Sequence, residues 1–88
     1  MGFRWDPEKN DWLKRVRGVS FEDILAATYL GDGTHDGRPN QRVLYYEFRG
    51  YIWAVPSVVQ GDEIFLKTAF PSRKANKEWR ERKDAHEE

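Results

Sequence analysis

The chain has 88 residues, enough for one domain and too few for two. Its 15 Lys and Arg balance 15 Asp and Glu, which argues against nucleic-acid binding by bulk charge. There is no cysteine, which excludes disulfides, thiolate metal sites and a cysteine nucleophile.

Phe3-Arg4-Trp5 alternates apolar and polar residues and reads as a short strand. Asp6-Pro7-Glu8 is a helix start: an N-cap, a residue with preset φ, and an acid for the helix dipole. Trp12 and Val16 share a face four residues apart, with Leu13 beside them, and Gly18 is placed to end the helix. A second helix starts at Ser20, with Asp23 completing a capping box. Its buried stripe is expected at Phe21, Ile24, Leu25 and Thr28, and Gly31-Asp32-Gly33 breaks it.

Gly31 to Gln41 reads as a polar loop. Three strands should follow. Arg42–Phe48 puts Leu44, Tyr46 and Phe48 on one face. Arg49-Gly50 turns the chain into Tyr51–Val59, where Pro56 points to an edge or bulge. Glu63–Phe70 alternates Ile64, Leu66, Thr68 and Phe70. A last helix starts at Pro71-Ser72. The fold class is thus α+β: a short N-terminal strand, two helices, a three-stranded antiparallel meander and a C-terminal helix, in a single domain over 1–88. The helices are expected on one face of the sheet. Four Trp, four Tyr and five Phe can give so short a chain a dense core.

No apolar run is long enough to span a bilayer. The opening Met1-Gly2-Phe3-Arg4-Trp5-Asp6 lacks a basic-then-apolar signal pattern, so a cytoplasmic location without membrane contact is expected.

Three stretches, in order, resemble one family: Trp5-Asp6-Pro7-Glu8-Lys9, Gly18-Val19-Ser20-Phe21-Glu22 and Arg73-Lys74-Ala75-Asn76-Lys77. The chain is similar from Phe3 to about Lys83 to the BrnT-like toxins of bacterial toxin–antitoxin systems. The resemblance implies a RelE-like fold and an RNA-cleaving toxin, held inactive by an antitoxin encoded in a neighbouring gene. Many members carry Lys-His-Gly where this chain has Val16-Arg17-Gly18, so Arg17 stands in place of an imidazole.

Cleaving RNA without a metal needs a base, an acid and cations for the phosphorane. Between Pro71 and Lys83 six basic residues face two acids, a local stripe within a neutral chain. Arg73 and Lys77, four apart, share a helix face and are the first choice for the scissile phosphate; Arg17 is a second cation. Lys74, Arg80 and Trp79 are candidate RNA contacts, and Tyr45, Tyr51 and Trp53 are further stacking candidates. Proton transfer is assigned to His35 or Glu78, with the tail residue His86 behind them. Asp32 and Asp36 lack a spaced third ligand, so no metal and no cofactor is expected. The alternative is a non-enzymatic binding module: a degenerate toxin or an RNA-binding protein.

Overall fold

The computed structural model describes residues 2–35 and 38–86, with side chains except at 34–35, 38–39 and 82–86. The elements are β1 (Gly2–Trp5), α1 (Pro7–Arg17), α2 (Phe21–Leu25), β2 (Thr28–His35), β3 (Arg38–Phe48), β4 (Tyr51–Gln60), β5 (Glu63–Leu66), β6 (Phe70–Pro71) and α3 (Arg73–His86). The α+β class holds. The strands form one sheet in the order β1-β5-β4-β3-β2, and β6 pairs with β4. β1 runs parallel to β5, and β2 to β5 form an antiparallel meander. No helix among the described residues is long and apolar enough to cross a membrane.

The helix ends follow local chemistry. The Asp6 carboxylate accepts from the Glu8 amide at 2.9 Å, Pro7 opens α1, and Gly18 closes it in the left-handed conformation. The Ser20 hydroxyl accepts from the Asp23 amide, and the Asp23 carboxylate accepts from the Ser20 amide, both at 3.0 Å. The buried stripe of α1 differs from the expected one. Asn10 and Leu13 are buried, whereas Val16 is 58% exposed and Trp12 half-buried. The buried Asn10 is a joint: it accepts from the Phe21 amide at 2.8 Å and donates to the Glu22 carboxylate at 2.6 Å, locking α1 to α2.

The described residues between 31 and 41 are strand and not loop. Thr28–His35 and Arg38–Gln41 continue the meander, so it has four strands rather than three, and Thr28 belongs to β2 rather than α2. The glycines suggested a break, but the chain spends Gly31 on a β-bulge between Tyr29 and Gly31, at a φ of 137° that disfavours other residues. Ladder hydrogen bonds with β3 then hold the segment extended, and Tyr29 packs on Tyr46 with ring centroids 5.3 Å apart.

The last predicted strand is also shorter. β5 stops at Leu66, and pairing with β4 resumes only at Phe70–Pro71. Pro56 explains the gap. Its carbonyl accepts from the Lys67 amide at 2.9 Å, but it has no proton to return, so the ladder breaks there.

Leu13, Val19, Phe21, Ile24, Leu44, Tyr46, Val55, Leu66 and Ala69 form the core between α1, α2 and one sheet face. Helix α3 contributes nothing to that cluster among the described residues. It lies beside the edge of β4 beyond β6, outside the layer where all helices were expected. Asn76 anchors it there. Its side-chain carbonyl accepts from the Ile52 amide at 3.0 Å, and its amide donates to the Ile52 carbonyl at 3.1 Å. The Ser72 amide also donates to the Ile52 carbonyl at 2.9 Å, so the Asn76 side chain completes the pairing that β6 leaves off, and the Ser72 hydroxyl caps the helix by accepting from the Ala75 amide at 3.1 Å.

Candidate functional site

Three arginines from distant parts of the chain line one cleft. Arg17 ends α1, Arg49 sits in the β3–β4 turn and Arg73 opens α3. The cleft has a volume of about 460 Å³, and half-buried Phe48, Tyr51 and Trp53 add an aromatic lining. Sequence spacing could not place these cations together; the turn at β3–β4 and the Asn76 anchor do.

Each arginine is held differently. Arg17 donates from Nη1 to the Ala69 carbonyl and lies over the Trp12 ring at 4.9 Å, with the Lys9 ammonium 4.0 Å from the same ring. Arg17 therefore also ties α1 to the connection between β5 and β6. Arg49 has φ 54° and Gly50 φ 78°, so both central residues of the two-residue hairpin are left-handed. Asn-Gly is the usual pair there; an arginine costs about 1–2 kcal/mol in this conformation. Its guanidinium lies 4.8 Å from the Phe48 ring. A strained cation at the rim of a cleft is a functional candidate. Its only sequence signal is a bulky charged residue where Asn is usual, which marks a turn and not a site.

A second groove, of about 360 Å³, adjoins the cleft through Tyr51 and Arg73. Lys77 and Arg80 line it, with Glu81 as the acidic member. The expected Arg73–Lys77 pair thus shares a side of α3, and Arg80 joins it. Lys74, Glu78 and Trp79 instead line a groove of about 370 Å³ with Leu30, Tyr45 and Ile52. Among the aromatic candidates, Tyr51 and Trp53 face the arginines, whereas Tyr45 and the 42% exposed Trp79 do not.

Two of the proton-transfer candidates can be placed, and both lie away from the arginines. Glu78 belongs to the opposite groove. The backbone of His35 pairs with Arg38 at the far end of the β2–β3 hairpin. Ten residue steps of β3 separate that end from Phe48, roughly 33 Å of strand. The side chains of His35 and His86 lie outside those described, as does Asp36. Asp32 is paired with Arg42 at 3.0 Å. Among the described residues no three His, Asp or Glu side chains gather as a metal site. Burial raises the Tyr29 and Tyr46 hydroxyls, which favours their protonated, donor form.

No family model matches the chain, and no curated protein matches it. A solved structure does. The fold is similar to that of the Brucella abortus ribonuclease toxin, BrnT. The match has a TM-score of 0.52 and 22% sequence identity, covering 82% of this chain and 96% of that one. The resemblance carried by the three sequence motifs therefore has a counterpart in the fold over most of the chain.

Proposed function

We propose that the chain is a ribonuclease toxin of the BrnT-like kind, acting on RNA in the cytoplasm and neutralised by an antitoxin. The observation that carries this reading is the convergence of Arg17, Arg49 and Arg73 on one cleft, in a fold similar to a ribonuclease toxin. Three guanidiniums suit a phosphodiester because each presents planar donors to non-bridging oxygens. They favour the phosphorane over the ground state because charge on those oxygens grows as the 2′-oxygen attacks.

In that reaction the 2′-hydroxyl loses its proton to water and its oxygen bonds to phosphorus. The bond to the 5′-oxygen breaks, and the leaving oxygen takes a proton from water. The products are a 2′,3′-cyclic phosphate and a 5′-hydroxyl, with no metal required. Arg73 is the principal stabiliser of the scissile phosphate, at the start of α3 where free amides also favour an anion. Arg17 and Arg49 close the other sides.

The separation of Glu78 from the arginines favours a second reading, a binding module of the same fold that holds RNA or its antitoxin without cleaving. Inducible expression with and without the neighbouring gene, followed by mapping of RNA ends, separates the two. Growth arrest with new 5′-hydroxyl ends, relieved by the neighbouring product, is expected. Unbroken RNA and unaffected growth would sink the ribonuclease reading and leave the binding module.

A further inference from the structure

We infer that Trp12 is the positioning residue for Arg17, holding its guanidinium at the cleft before any anion arrives. The inference rests on the ribonuclease reading for what the cleft does, but it concerns how one of its cations is kept in place.

Arg17 is exposed and is the last residue of α1, next to the Gly18 stop. A long side chain in such a place has many rotamers open to it, and an anion that binds it must first order it. Two contacts remove that freedom. Nη1 donates to the carbonyl of the buried Ala69, and Cζ lies over the Trp12 ring, 4.9 Å from its centroid. Helix spacing alone does not produce the second contact. Five residues carry Arg17 about 140° round the helix from Trp12 and about 7.5 Å along it, so the two do not share a face. The arginine turns back over the ring to meet it.

The ring itself is fixed. Trp12 is half-buried and packs against the core cluster. Lys9, three residues earlier and so an ordinary helix neighbour, sets its ammonium 4.0 Å from the same centroid and is itself half-buried. The chemistry suits positioning. An aromatic ring attracts a cation through its face, while the donors of a guanidinium point outward in its own plane. Trp12 therefore holds Arg17 without occupying any N–H, and the donors not bonded to Ala69 stay available to a phosphate oxygen. A partly exposed contact of this kind adds little to stability. Its effect is on the placement of a cation in a cleft that Arg49 and Arg73 also line.

Two measurements on the whole chain test this. The first is NMR relaxation of the arginine Nε–H groups, with Arg17 assigned by the loss of its signal in Arg17→Lys. In the parent, Arg17 should have a clearly higher order parameter than the exposed Arg15 of the same helix. In Trp12→Leu it should fall below about 0.6. Trp12→Phe, which keeps an aromatic face, should stay nearer the parent. The second measurement is RNA cleavage. Trp12→Leu should lower kcat about ten- to a hundredfold with KM little changed, as for a displaced group, and Trp12→Phe should recover most of the rate. Combining Trp12→Leu with Arg17→Ala should cost no more than Arg17→Ala alone, because the ring acts only through the arginine. A general folding defect multiplies the two losses instead. An Arg17 equally mobile in the parent and in Trp12→Leu overturns the inference. So do multiplied losses or parental cleavage by Trp12→Leu, either of which leaves the ribonuclease reading standing. A folded parent that cuts no RNA removes that reading alone, and the Nε–H relaxation then decides whether the ring holds the arginine.

Discussion

The two sides of α3 carry similar residues in different company. On one side Arg73, Lys77 and Arg80 meet Tyr51, the acid Glu81 and, through the cleft, two further cations, Arg17 and Arg49. On the other, Lys74 shares a groove with Glu78, Trp79, Tyr45 and Ile52. A cation next to a carboxylate is partly neutralised, whereas cations gathered from three elements wait for an anion from outside. Charge on a helix thus becomes a site through what the neighbouring elements contribute, and the difference between the sides is set outside the helix.

The sharpest way to break this comparison is to remove one cation from each side. Arg73→Ala should lower RNA cleavage on the order of a hundred- to a thousandfold, equivalent to about 2.7–4 kcal/mol, with the fold kept. Arg73→Lys should also be impaired, because a point charge cannot make paired contacts. Lys74→Ala should leave the rate close to that of the parent. Equal losses from Arg73→Ala and Lys74→Ala, measured on purified proteins with one RNA, would erase the distinction between the sides.

Asn76 should affect both sides at once. Asn76→Ala leaves the Ile52 amide without its partner, while the Ile52 carbonyl still accepts from the Ser72 amide. Each buried group left unpaired costs about 1–3 kcal/mol. Urea unfolding should show that loss, and both grooves should lose ligand binding together. A variant as stable as the parent would mean that the anchor is not what holds α3.

Arg49 sharpens the comparison by separating function from stability. Arg49→Gly removes a cleft cation and also relieves a left-handed residue. Stability should shift by about 1 kcal/mol or less, toward the stabilising side, while cleavage falls. A variant that cleaves normally would return Arg49 to an ordinary turn residue.

The smallest effect concerns α1, which positions Arg17. The hydrogen bond from Asn10 holds the Glu22 carboxyl below its ordinary value of 4.5. Its contribution is therefore fully present above the unfolded value and is lost as pH falls through the lower folded value. Melting temperature followed from pH 6 downward should drop more steeply below about pH 4.5 in the parent than in Glu22→Gln. Parallel curves would show that the carboxylate adds nothing to the joint.

Local chemistry alone determined the α+β class, both N-caps, the Gly18 stop, the Arg49-Gly50 turn and the strands that follow it. These depend on residues close in sequence, where spacing, φ preference and capping oxygens act directly. Pro56 also announced a break in pairing, although the sequence could not say that β5 would be the strand to end. The tertiary structure decided β2, because ladder bonds from β3 overrode the glycines, and it moved α3 off the helical layer through Asn76. It alone assembled the cleft. Arg17, Arg49 and Arg73 are separated by 32 and 24 residues, and no pattern of spacing encodes that meeting. Periodicity shows which face of an element a residue occupies; which faces come together is set by the packing of the core and the pairing of strands.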